Sequence, residues 1–198
     1  MRSLKSRCAA ALVILAGMAL ACARSPNSPD DHPITDGPAG RTYTNRNLGF
    51  QVTIPKPLDL SWGMSIQTLH HTGVLADGTS LSVFIKAPQG RGGFEPILSI
   101  DPFPVSQNEK LADLGARAAK DFAQSYGNYR ESAHRVIEVA GGPAEQWTFR
   151  AQATGQGDRF TVTLLINGKL VYILQGSGIE GYYPTEEYES ILKTFKFL

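Results

Sequence analysis

Residues 169–175 read Lys-Leu-Val-Tyr-Ile-Leu-Gln, and both alternating sets of side chains are apolar: Leu170, Tyr172 and Leu174 on one side, Val171 and Ile173 on the other. Successive side chains of a strand point to opposite faces, so such a segment is stable only where both faces are covered. It predicts a central strand with packing layers above and below. Asn167-Gly168 stands just before it, and both residue types tolerate the positive φ that a two-residue type I′ hairpin requires. The partner strand alternates Phe160, Val162, Leu164 and Ile166 with polar positions.

Further alternating runs surround this hairpin. Phe50, Val52 and Ile54 stop at Pro55, and Leu81, Val83 and Ile85 stop before Pro88. A short run over residues 97–100 is bracketed by Pro96 and Pro102, and two more strands cover residues 130–139 and about 146–152. Leu111, Leu114, Ala118 and Phe122 recur at helical spacing behind Ser106 and Glu109, which together read as a capping box. A last helix begins after Pro184 and carries Tyr188, Ile191, Leu192 and Phe195. The expected architecture is α/β, an αβα sandwich. Its mostly antiparallel sheet of about six to seven strands carries helices on both faces.

The N-terminal segment lies outside this fold. Arg2, Lys5 and Arg7 precede residues 9–21, which are apolar and uncharged. A basic start followed by a short apolar run is a signal-peptide pattern, and the run is shorter than the roughly 20 residues a membrane span needs. Ala19-Leu20-Ala21-Cys22 resembles the box cut by lipoprotein signal peptidase, with Ala19 where that box prefers Leu. Cys8 would be discarded, so Cys22 is the one cysteine left. It has no internal disulfide partner in an oxidising compartment, and acylation would remove the stray thiol. The expectation is a lipoprotein signal peptide over residues 1–21 and lipidation, palmitate included, at Cys22. The bilayer is then the chain's first partner.

Residues 23–41 are rich in Pro, Ser, Asn, Asp and Gly, with Ile34 the one large apolar side chain. They read as a flexible tether over residues 22–41, leaving a globular domain over residues 42–198. Cleavage would remove three of 19 basic residues and none of the 18 acidic ones, leaving a net charge of −2. Bulk charge therefore offers nothing to nucleic acid. Ala23 follows the cysteine where aspartate commonly signals inner-membrane retention, so the expected location is the outer membrane, if the organism has one.

The opening Tyr43-Thr44-Asn45-Arg46-Asn47-Leu48-Gly49-Phe50-Gln51-Val52-Thr53-Ile54-Pro55 resembles the start of PsbP-like domains. There a tyrosine and a short gap precede Gly-Phe and an alternating strand ending in Pro. The close is similar as well: a hairpin, an apolar strand, a loop, a helix with Tyr188, then Leu192-Lys193-Thr194-Phe195-Lys196-Phe197. Residues 56–80 and 87–106 match no motif of the family. The resemblance implies an αβα sandwich around an antiparallel sheet. It also implies a mostly non-enzymatic relationship: an extrinsic photosystem subunit, a nuclear-transport cofactor that binds a small GTPase, and bacterial envelope lipoproteins. No functional residue carries over, because these proteins bind through different surfaces.

Several motifs admit bland readings. Gly176-Ser177-Gly178-Ile179-Glu180-Gly181 fits G-x-G-x-x-G, yet Pro184 and the chain end leave no room for the helix and acidic strand tip of a dinucleotide site. His70-His71 is the one candidate metal pair, but adjacent histidines on a strand face opposite ways, so an exposed pair on an irregular segment is expected. His134 reads as an outward strand residue, and Glu186-Glu187 as acidic groups in a helix's first turn. Trp62, Tyr182 and Tyr183 are the partner-binding candidates, as aromatics in loops that can anchor an interface. No catalytic residue, cofactor-binding residue or cofactor is assigned.

The sequence therefore points to a lipid-anchored, non-catalytic envelope binding or assembly module whose partner is another envelope protein. The alternative is a small-ligand or divalent-metal-binding lipoprotein using the His70-His71 region, and a hydrolase comes third.

Overall fold

A computed structural model describes residues 34–71, 78–88, 95–152 and 157–198; the expected signal peptide, Cys22 and the start of the expected tether lie outside them. Among the described residues, eleven strands form two antiparallel sheets, accompanied by two α-helices. The strands are β1 (Ile34–Gly37), β2 (Gly40–Asn45), β3 (Phe50–Pro55), β4 (Gly63–His71), β5 (Gly78–Lys86) and β6 (Ile97–Pro104). After α1 (Leu111–Ser125) come β7 (Gly127–Val139), β8 (Gly142–Gln152), β9 (Asp158–Asn167) and β10 (Leu170–Ile179), then α2 (Thr185–Leu192) and β11 (Lys196–Phe197). The large sheet has the order β4-β5-β6-β10-β9-β8-β7 and the small one β1-β2-β3-β11.

The two-faced apolar strand, β10, is the middle strand of the seven. Val171 and Ile173 enter a core beneath α1, while Tyr172 and Leu174 enter the opposite core. The first core joins Leu114, Ala118 and Phe122 of α1 to Trp147, Phe149, Phe160, Val162 and Leu164, with Phe122 and Phe149 stacked at 5.1 Å. The second joins Leu81, Val83, Ile85, Leu98 and Ile100 to Tyr43, Phe50, Val52 and Ile54 of the small sheet and to Tyr188 and Ile191 of α2. This corrects the expected sandwich. The second face is covered chiefly by a separate four-stranded sheet, and α2 packs at its rim against β3.

The two motifs that resemble PsbP-like domains meet in space. Phe197 pairs with Phe50 in register, and the rings of Phe50 and Phe195 stack at 5.5 Å. Tyr43 and Tyr172 each lie 5.6 Å from Phe50. The Thr53 amide donates to Thr194 Oγ1 (2.9 Å), and that hydroxyl reaches back to the Thr53 carbonyl (2.7 Å). Aromatic burial of this kind dominates core energetics, so the closing segment is held by rings more than by its two-residue strand.

Other expectations need correcting. Residues 34–41, expected in the tether, are instead structured, because β1 and β2 form a hairpin over residues 34–45, with Ile34 opposite Tyr43 and Arg41 Nε donating to Asp36 Oδ1 at 3.0 Å. The hairpin before β10 turns on Gly168-Lys169, since Asn167 pairs with Leu170 and only Gly168 has positive φ (+62°). That matches the type II′ preference for glycine at the first turn position. The capping box does not form: α1 starts at Leu111 after an extended Lys110, and Glu109 accepts from Arg117 at 2.9 Å instead. Pro102 lies within β6 because β5 stops pairing at Ile100, so no neighbour needs its missing N–H.

Candidate functional site

Beyond the small sheet, the second face of β7, β8 and β9 is apolar at one end, where Val139, Ala144 and Leu165 join the second core, and polar along the rest. Cross-strand register builds it in rows. Ala133, Thr148, Thr161, Gly176 and Leu98 lie side by side on five strands, and Arg135, Gln146, Thr163 and Leu174 form the next row. A third pairs Arg150 with Arg159. Alternation explains the composition: Phe160, Val162 and Leu164 take the α1 core, so Thr161 and Thr163 must face the other way.

The segment after β10 forms the opposite wall. A Cβ on Gly176 would lie 2.7 Å from both the Tyr183 hydroxyl and Tyr188 Cε2, so only glycine lets these rings lie against the sheet. Tyr188 donates to the Ser177 carbonyl at 2.9 Å. Between wall and floor is a cavity of about 370 Å³, lined by Thr148, Thr161, Thr163, Arg159, Tyr183 and Leu192 among others. A neighbouring hollow of about 380 Å³ shares Arg135, Gln146, Glu189 and Leu192 with it, making one cleft along α2.

The polar groups of the cleft are held in place. Arg135 Nε and Nη2 both donate to Gln146 Oε1 (2.9 and 2.7 Å), and Gln146 Nε2 donates to Thr163 Oγ1 (3.0 Å). The Arg159 guanidinium sits 4.9 Å from the Tyr183 ring centroid, while its buried Nε has no hydrogen-bond partner. Burial pushes the Tyr183 phenol well above its ordinary range, with Thr161 and Arg159 beside it pulling back. Arg150 Nη2 pairs with Glu180 Oε1 at 2.5 Å at the cleft's end. The site can hydrogen-bond and stack on an occupant, and Arg135, Arg159 and Glu189 bring charge to its lining, with Arg135 Nη2 3.7 Å from Glu189 Oε1.

The three aromatic candidates separate. Tyr182 is exposed, Tyr183 is a cleft wall, and Trp62 is a core side chain, 5% exposed and edge-on to Tyr188 at 6.0 Å. Trp62 is thus no surface anchor. Thr161, Thr163, Gln146, Arg135 and Arg159 escaped the sequence reading. Their one signal is the polar side of otherwise apolar strands, and it becomes a site only when the register aligns it.

The histidine pair lies on β4 and not on an irregular segment, and its members do face opposite ways. His70 contacts Thr79 at 3.3 Å on an exposed edge, whereas His71 turns inward toward Ser80, Ser82 and Asp101. A third histidine, His134, stacks on Trp147 at 4.4 Å and bonds Glu145 Oε2 at 3.1 Å. Glu186 and Glu187 occupy the first turn of α2. Among the described residues, no three His, Cys, Asp or Glu side chains converge as metal ligands, and no helix is long and apolar enough to cross a membrane.

No family model matches the sequence, and no curated protein resembles it closely. Solved structures do. PA94, a Pseudomonas aeruginosa protein of unknown function, is 16% identical with a TM-score of 0.53 over 66% of this chain and 94% of its own. LpqN, involved in cell envelope biogenesis of Mycobacterium tuberculosis, is 11% identical with a TM-score of 0.52 over 83% of this chain and 89% of its own. The cyanobacterial PsbP of Synechocystis, CyanoP, gives 15%, 0.52, 82% and 95% in the same order. At such identities the likeness is one of fold, and it agrees with the motifs at both ends of the domain. The chain has a PsbP-like fold.

Proposed function

We propose that this protein is a lipid-tethered, non-catalytic module of the bacterial envelope that binds another envelope protein through the cleft between β8–β10 and α2. The observation that carries this reading is the cleft itself. It is a preformed hollow of about 370 Å³ whose floor is a ladder of hydroxyl and amide groups and whose wall is aromatic. Hydroxyl, amide and ring groups of this kind, with Arg135, Arg159 and Glu189 beside them, suit the hydrogen bonds and aromatic contacts of a protein interface. In this reading an acyl anchor on Cys22 holds the module at the membrane, and Ala23, where aspartate would signal inner-membrane retention, supports the outer membrane where two exist. LpqN, which shares the fold, supports an envelope setting.

The test is chemical crosslinking in the native cell, followed by co-purification, with the wild type and with Thr161→Trp, whose indole fills the cleft. Capture of one envelope protein by the wild type and its loss in the variant is the expected result. Equal capture by both would place the binding surface elsewhere.

A second reading, small-ligand binding, is favoured by the cavity volume, which falls within the roughly 300–1,000 Å³ of small-molecule pockets. Native mass spectrometry of freshly purified protein separates the two, because a retained small ligand adds a discrete mass that Thr161→Trp removes.

A further inference from the structure

Cross-strand register sets three arginines side by side on the cleft face of the large sheet. Arg130 of β7 lies opposite Arg150 of β8, and Arg150 lies opposite Arg159 of β9. Directly paired residues of an antiparallel sheet share a face, so the three side chains emerge on one side. β7 is the outermost strand, and the row therefore runs from the open edge of the sheet into the cleft.

Like charges directly opposite one another destabilise a sheet, and this row has little to offset them. Glu180 Oε1 pairs with Arg150, while Glu180 Oε2 is buried without a hydrogen-bond partner and so serves neither neighbour. Among the described residues, the ion pairs take in Arg41, Lys86, Arg117, Arg135 and Arg150, but neither Arg130 nor Arg159. Arg130 is exposed and hydrated. Arg159 is different: its Cζ lies over the Tyr183 ring, and its Nε, a donor only, is buried without an acceptor. The ring face answers the charge and leaves that N–H unbonded.

The planar guanidinium binds the two oxygens of a carboxylate side by side, and a protein supplies carboxylates as Asp or Glu. Neighbouring strands lie about 4.8 Å apart, so the row spans about 10 Å. Acidic residues at i and i+2 of an extended chain sit about 7 Å apart on one side, which fits within it. Leu98, Leu174 and Leu192 in the cleft lining offer apolar surface to the residues between and beyond them.

We propose that the Arg130, Arg150 and Arg159 row recognises an acidic segment of the partner protein, an extended stretch with two carboxylates two residues apart. This rests on the reading of the cleft as a protein-binding site. One carboxylate engages Arg159 beside Tyr183, and the other lies over Arg150 and Arg130 toward the sheet edge.

The probe is the peptide Gly-Leu-Glu-Leu-Glu-Leu-Gly carrying an uncharged dye, compared with its Gln counterpart. Fluorescence anisotropy follows its binding to the mature chain in non-ionic detergent at about 0.15 M salt. The expected result is saturable binding of the Glu peptide by the wild type and by Arg117→Gln, an arginine on α1 across the sheet. Arg159→Met, Arg130→Gln and the exchange of Glu for Gln in the peptide should each weaken it about fivefold or more. No saturable binding by the wild type, equal binding of the Gln peptide, or the same loss from Arg117→Gln overturns the proposal. So does row-dependent binding of phosphatidylglycerol vesicles with no binding of the peptide, which makes a membrane the occupant. Should Arg159→Met unfold the chain, the exposed Arg130→Gln decides: weaker binding supports the row, and unchanged binding overturns it. The two readings fail separately. Peptide binding alongside native-cell capture that survives Thr161→Trp keeps the row and removes the cleft. Capture lost in Thr161→Trp without peptide binding keeps the cleft and removes the acidic segment.

Discussion

Glu145 reaches beneath α1 at the one position where the helix has no side chain: a Cβ on Gly115 would lie 2.0 Å from Glu145 Oε2 and 3.0 Å from Trp147 Cη2. The carboxylate is buried and bonded to His134 at 3.1 Å, so it has little freedom to withdraw. Alanine in a helix interior is intrinsically favoured over glycine by about 0.8–1.0 kcal/mol, whereas overpacking costs about 1–3 kcal/mol. Gly115→Ala should therefore destabilise the wild type by about 1 kcal/mol. In a Glu145→Ala background the same change should become neutral or stabilising. Urea denaturation of the four proteins in this cycle checks the sign reversal, and an equal effect in both backgrounds would contradict it.

Alkaline stability follows from the buried phenols that join the two sheets. Burial raises both Tyr43 and Tyr172 from about 10 to about 12. A raised phenol favours the folded state below the unfolded value, and that contribution is lost as pH rises through the folded value. Stability should thus fall between about pH 10 and 12 as the unfolded chain ionises first. Absorbance titration near 295 nm should show these two groups ionising only with unfolding. Their reversible ionisation near pH 10 in the folded protein would contradict the packing described.

The N-terminal boundary gives a third test. Arg41 bonds Asp36 and donates through Nη1 to the Trp62 carbonyl at 3.2 Å, in a strand paired on both sides. Brief trypsin treatment of the native protein should leave the bond after Arg41 intact. Early cleavage there would return residues 34–41 to the tether.

Lipidation is tested by mass. The wild-type mature N-terminus should carry an acylated Cys22, and Cys22→Ser should either accumulate as precursor or appear in the soluble fraction. An unmodified cysteine on the mature chain would remove the anchor from the account.

Some of this fold was legible in the sequence for a plain reason. The two faces of β10 are apolar because it lies at the centre of the large sheet, and centrality leaves a mark that composition alone reveals. Edges leave none. β4 alternates only weakly because it has a single neighbour and much of it is exposed, so His71 passed for a surface residue. The small sheet was hidden differently, since β11 is two residues long and pairs with β3 far back in the chain. Helix α1 was placed by its apolar spacing but not its start, because the backbone at Lys110 is still extended and the apparent cap lies too early. The cleft was invisible for the most general reason. Thr148, Thr161 and Gly176 are distant in sequence, and only strand register makes them neighbours.

The central claim is that the cleft binds an envelope protein, and site-specific photocrosslinking in the native cell tests it most directly. A benzophenone amino acid placed at Thr161, in the cleft floor, is compared with one at Leu60, which is 86% exposed and not part of the cleft. The account predicts a single discrete adduct from Thr161, containing another envelope protein, and none from Leu60. No adduct from Thr161, or the same adduct from both positions, would contradict it.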